Sequence, residues 1–177
     1  MKGFVRENQF LSLCGLNCGL CPMFWGKYCG GCGNGNQSCR IARCSMEHGN
    51  VEYCSDCPEY PCEQYKEFDK YDSFITHQRQ KADLETAKRI GILEYNAQQQ
   101  KKAQILAQFL ADYNDGRRKA FFFVAVNLLE LPELLEITEQ MENLPEMPLK
   151  EKCAYLVRLL QEAARKQNVE LKLRKKK

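Results

Sequence analysis

Ten cysteines crowd into one short stretch: Cys14, Cys18, Cys21, Cys29, Cys32, Cys39, Cys44, Cys54, Cys57 and Cys62. Six of them form three Cys-x2-Cys pairs, Cys18/Cys21, Cys29/Cys32 and Cys54/Cys57. A turn of that length can aim two thiolates at one tetrahedral ion, so repeated pairs at loop-length separations signal a metal. Gly15, Gly19, Gly26, Gly30, Gly31, Gly33, Gly35 and Gly49 fall within or beside the same spacings, and aliphatic residues are scarce. Such a segment lacks the apolar area to fold by burial alone and needs staples. Structural zinc would supply them, at ~10–16 kcal/mol of apparent folding free energy in small modules.

The rest of the composition narrows the setting. At 177 residues the chain suits a small domain joined to a larger one, and only Cys153 lies outside the cysteine stretch. Seven basic residues and one acid between Arg165 and Lys177 place +6 there, which leaves the remainder at −3 within a total of +3. A mildly acidic body with a basic tail argues against a protein that wraps nucleic acid with its whole surface. The first twelve residues hold Arg6, Glu7 and Asn8 and no apolar stretch of a signal peptide, and the longest apolar run, Ala120 to Val126, is too short for a bilayer. The expected address is the cytoplasm, with no membrane partner, where clustered cysteines serve as metal thiolates rather than disulfides.

Beyond Cys62 the pattern turns helical. Glu63 to Phe68 reads as a short helix, and Asp72 and Ser73 as N-caps of a longer one reaching Ile90, with Leu84, Ala87 and Ile90 on one face. Gly91 marks its stop. Leu93 to Tyr113 reads as a helix burying Ala103, Leu106, Leu110 and Tyr113, backed by Phe109, and Asn114-Asp115-Gly116 as a turn. Arg117 to Leu129 is apolar on nearly every side; a strand competes, but helical neighbours and the lack of a pairing strand favour a buried helix. Pro132 opens a further helix carrying Leu134, Ile137, Met141 and Leu144. The last, Leu149 to Lys166, repeats Leu149, Cys153, Leu156, Leu160 and Ala163, which makes Cys153 a core residue. Residues 169–177 read as either a short strand or a frayed tail.

The cysteine motifs run in one order: Cys14-Gly15-Leu16-Asn17-Cys18-Gly19-Leu20-Cys21-Pro22, Cys29-Gly30-Gly31-Cys32, Cys39-Arg40-Ile41-Ala42-Arg43-Cys44 and Cys54-Ser55-Asp56-Cys57-Pro58-Glu59-Tyr60-Pro61-Cys62. This order resembles the uncharacterised prokaryotic cysteine-rich family known as domain of unknown function 3795. The resemblance implies that all ten cysteines are metal ligands, with zinc the expected metal, and it implies no activity. Longer members of that family share a segment like Asp115 to Phe122 flanked by cysteines; this chain has Asn114 and Phe123 there, so any thiol pairing at that place is missing.

Other readings are weaker. Cys14-x3-Cys18-x2-Cys21 has the spacing of a radical-SAM cluster loop, but the remaining chain is too short and too helical for a barrel of about 200 residues. Cys21-Pro22 and Cys57-Pro58 resemble ferredoxin cluster ends, without the full ferredoxin run. His48 and His77 are expected at the surface, Phe24 and Trp25 as the roof of a metal knuckle, and Lys172 and Arg174 to Lys177 as a solvated tail. No phosphate loop, catalytic triad or His-Glu-x2-His helix is present.

The sequence therefore predicts a mainly α protein: a cysteine-rich zinc-binding loop module over 1–62, followed by an α-helical domain over 63–177. Eight thiolates fill two four-ligand sites, so about two zinc ions are expected. A saturated site has no open position for substrate, which points to a non-enzymatic scaffold that meets a protein or nucleic acid. The alternative is an iron–sulfur or labile zinc-thiolate protein that handles electrons or metal. Neither the partner nor the oligomeric state follows from the sequence.

Overall fold

Glycine and proline keep the first seventy-nine residues from building long helices. In the computed structural model, which describes residues 1–176, this stretch holds only α1 (Pro22–Trp25), α2 (Arg40–Glu47) and three single 3-10 turns, Cys18–Leu20, Cys54–Asp56 and Glu63–Tyr65. Then follow α3 (Gln80–Ile90), α4 (Ile92–Asp112), α5 (Lys119–Leu128), α6 (Leu131–Glu142) and α7 (Leu149–Lys166). The described residues contain no strand, and one isolated bridge joins Leu11 to Asn17. The mainly α expectation holds. None of these helices is long and apolar enough to cross a membrane.

The chain clusters into two compact units, Gln100–Leu173 on one side and Met1–Gln99 with the segment from Arg174 on the other. The expected boundary at residue 62 lies elsewhere for a physical reason. Leu84 and Ala87 of α3 and Tyr95 of α4 are buried in one cluster with Leu11 and Tyr65, against which Cys14, Cys54 and Cys62 pack. A second cluster, Phe4, Leu13, Ile41 and Ala42, is flanked by Cys14, Cys32, Cys39 and Cys54. The cysteine segment thus borrows its apolar cover from later helices.

In the unit Gln100–Leu173, α5 explains the choice of helix over strand: Phe122 to Leu129 are all buried, so every side of the element is covered. The buried stripe of α4 here is Ile105, Leu106, Phe109 and Tyr113, whereas Ala103 and Leu110 are only partly covered. Lys102 is buried as well, and its Nζ donates to the Leu129 carbonyl at 2.6 Å just beyond α5. A cation at that position answers the negative end of the α5 dipole. Cys153 is 2% exposed, as a core residue should be, while Leu149 at the head of α7 is exposed.

Two expectations near residue 70 fail. The expected helix over Glu63 to Phe68 is a single 3-10 turn, Glu63–Tyr65, followed by turns, and α3 starts at Gln80, not after Asp72 or Ser73. Asp72 is engaged otherwise. Its Oδ1 accepts the His77 backbone N–H at 2.7 Å and its Oδ2 the Arg174 backbone N–H at 2.6 Å. The Asp72 N–H in turn donates to the Arg174 carbonyl at 2.7 Å. Residues 169–176 therefore form neither a strand nor a free tail: Arg174 closes a clasp on Asp72. His77, expected in solvent, is partly covered by Phe68 and holds the Ser73 hydroxyl at 3.0 Å.

The clasp carries a prediction. Burial disfavours the Asp72 carboxylate, but the His77 and Arg174 hydrogen bonds outweigh this and hold its pKa below the usual carboxylate value. A depressed native pKa contributes stability that is present above the unfolded value of about 3.9 and lost as pH falls through the folded one. Asp72→Ala is expected to lower the urea unfolding free energy by about 1–3 kcal/mol at pH 7, the cost of orphaned donors. The gap between variant and parent should narrow as pH drops below about 4.

Candidate metal centre

The cysteine segment is shaped by short backbone contacts. Ser12 accepts the Gly15 N–H through its carbonyl at 3.0 Å and the Leu16 N–H through its hydroxyl at 2.8 Å, while its own N–H reaches the Leu16 carbonyl at 2.8 Å. This curl requires Gly15, whose φ is +92° and whose missing Cβ would strike the Gln80 carbonyl and Leu84 of α3. Between Cys14 and Cys18, Asn17 is buried and ties the loop down. Its Nδ2 donates to Asp83 at 2.8 Å and its Oδ1 accepts the Tyr95 hydroxyl at 2.9 Å. The only hint in the sequence was an amide inside a Cys-x3-Cys spacing.

The ten cysteines are free thiols, each partly covered. Burial pushes the Cys18 thiol well up, and the neighbouring sulfurs of Cys32, Cys14, Cys21 and Cys29 push it further. Burial raises Cys14 too, against hydrogen bonds from Ser12 and Leu16. Cys32 is pushed up to about 11 by burial, opposed by the Leu13 backbone and Arg6. Arg6 sits beneath this group with its side chain sealed, donating to the Leu11 carbonyl at 2.9 Å and pairing with Glu52 at 3.1 Å. Cys54 is pushed up to about 12 by burial, opposed by Tyr65. Thiols held in the protonated form are poor nucleophiles at neutral pH, so none of these resembles an activated cysteine.

Four of the ten line one small cavity of about 20 Å³: Cys44, Cys54, Cys57 and Cys62, together with His48 and the apolar Ile41, Val51, Tyr60 and Tyr65. Cys44 comes from α2, Cys54 and Cys57 from the two sides of a 3-10 turn, and Cys62 from the head of the next one. The Cys54 N–H donates to the Leu13 carbonyl at 2.9 Å, which anchors that turn. Cys44 is raised by burial and then by Cys62 and Cys57. Among the described residues, however, no group of three or more His, Cys, Asp or Glu side chains is arranged to hold a metal ion. The sulfurs share a cavity rather than a coordination sphere.

His48 keeps part of its expected exposure, with 32% of its side chain accessible. It ends α2, where its Nδ1 lies 2.8 Å from the Cys44 carbonyl and 3.6 Å from the Cys44 sulfur, and its Nε2 lies 3.4 Å from Glu59. The Cys44 carbonyl, ahead of other causes, raises its pKa. Trp25 is partly buried and donates its indole N–H to the Gly19 carbonyl at 2.6 Å, closing the Cys18 turn.

No family model, curated protein or solved structure matches this chain.

Proposed function

We propose that the segment from Cys14 to Cys62 is a metal-thiolate scaffold holding about two zinc ions through its ten cysteines, and that the metal is structural. The observation that carries this reading is the company these thiols keep. Ten reduced cysteines lie in a single unit, and four of them line one cavity. Burial disfavours the thiolates of Cys14, Cys18, Cys32, Cys44 and Cys54, and a divalent cation is what makes a buried thiolate stable; binding would release the protons to water. The resemblance in the cysteine motifs points the same way. On this reading the protein is not an enzyme: its metal organises a surface for a protein or nucleic-acid partner.

Metal analysis with a visible spectrum tests it. Protein purified without oxygen is expected to be colourless and to carry about two zinc ions per chain. Broad absorption near ~400 nm would instead establish the iron–sulfur alternative. Metal-free protein that keeps its fold would end both readings.

A further inference from the structure

Resting on that metal-thiolate reading, we infer that Cys44, Cys54, Cys57 and Cys62 share one ion, that His48 is not among its ligands, and that the six upstream cysteines serve a separate site.

The cavity decides the first part. At about 20 Å³ it has room for a single water-sized body. That suits one mononuclear ion. Four cysteines line it, the number a closed tetrahedral site takes, and binding would draw their thiols from a shared cavity into one coordination sphere. Each comes from an anchored turn or helix: Cys57 donates its N–H to Cys54 at 3.0 Å, Tyr60 to Cys57 at 3.1 Å, and Tyr65 to Cys62 at 2.9 Å. Ile41, Val51, Tyr60 and Tyr65 supply most of the remaining wall; Ser45 and Gln64 complete it, and the Ser45 hydroxyl is engaged, donating to the Val51 carbonyl at 2.8 Å. A donor set of four sulfurs selects a soft or borderline ion such as zinc over calcium or magnesium.

His48 is the one other ligand-type side chain on the wall, and its nitrogens are taken. Nδ1 is closer to the Cys44 carbonyl, at 2.8 Å, than to the sulfur at 3.6 Å, and Nε2 is turned to Glu59. A ring that donates to a ligand's own backbone and pairs outward steadies the ligand from outside the ion's donor set. Of the upstream group, Cys14 packs near Cys54, but none of Cys14, Cys18, Cys21, Cys29, Cys32 and Cys39 lines the cavity. The binding step balances simply. Four Cys–SH groups lose four protons to solvent, a divalent ion sheds its water, and four metal–sulfur bonds form with no change of oxidation state.

Native mass spectrometry of the full chain loaded with zinc tests the assignment. Cys44→Ser and Cys57→Ser should each lose the same single ion, the double variant should lose no more than either alone, and Cys18→Ser and His48→Ala should keep that ion. Loss of two ions in the double variant, or loss of this ion in His48→Ala, overturns it. Alkylation of unmutated protein guards against misfolded variants. As zinc is added, Cys44, Cys54, Cys57 and Cys62 should slow together by about tenfold or more, because metal-bound sulfur is a poor nucleophile. Protection of Cys54 in step with Cys14 instead would overturn the partition. A wild-type chain that takes up no zinc ends the metal-thiolate reading itself; two ions bound with mixed protection end only this assignment.

Discussion

Stripping metal from the protein with a strong chelator under reducing conditions is expected to unfold the cysteine segment and α3 together, while α5, α6 and α7 keep their helical circular dichroism. One structural zinc is worth ~10–16 kcal/mol in small modules, as much as the whole stability of an ordinary domain at about 5–15 kcal/mol. A unit stapled by such ions cannot stay folded without them. α3 goes with the cysteines because Leu84 and Ala87 are buried in the cluster that Cys14, Cys54 and Cys62 flank, and because Asp83 is held by Asn17. The unit Gln100–Leu173 draws on no such support. Its buried residues include one cysteine, Cys153, on the inner face of α7. Circular dichroism with limited proteolysis checks this. Cleavage should concentrate before residue 91, and loss of all helix, or of none, would contradict it.

Phe109→Ala should be the most damaging single change outside the cysteines. Phe109 is fully buried, with Tyr113 at 6.4 Å and Phe122 at 5.9 Å between ring centroids. Removing the ring loses its transfer free energy and leaves a cavity in close-packed surroundings, at a cost of about 3–5 kcal/mol. Urea unfolding monitored by circular dichroism measures this, with bound metal counted in parallel. Metal content should stay unchanged. A cost below about 1 kcal/mol would mean that the aromatic cluster is not a packed core.

The helices were legible wherever burial follows a local period. α7 begins and ends where its apolar repeat does, and α5 was recognisable because an element apolar on every side must be covered on every side. The start of α3 was not. Asp72 has the chemistry of a cap, but its carboxylate answers His77 and Arg174, and the latter is 102 positions away. On α4 and the residue after it the reading held at Leu106, Phe109 and Tyr113 but missed Ile105 and Lys102, a lysine that carries no apolar signal in the sequence and is buried against a carbonyl. At the candidate site, spacing named the pairs but not which pairs meet. Cys54 and Cys57 announce one another; nothing local says that Cys44 of α2 and Cys62 join them around one cavity. His48 looked exposed in a polar loop, and is partly drawn in because α2 ends on it.

The clasp between Asp72 and Arg174 also sets an order in time. At about 5–20 residues per second on the ribosome, the 102 residues between them take roughly 5–20 s to make. All ten cysteines of the stretch are translated before Asp72, so on the proposed metal-thiolate reading metal capture could start well before that carboxylate meets its partner. During that interval the loop from Asp72 to His77 must be held by its own bonds. The fastening between Asp72 and Arg174 is the last of these contacts to form.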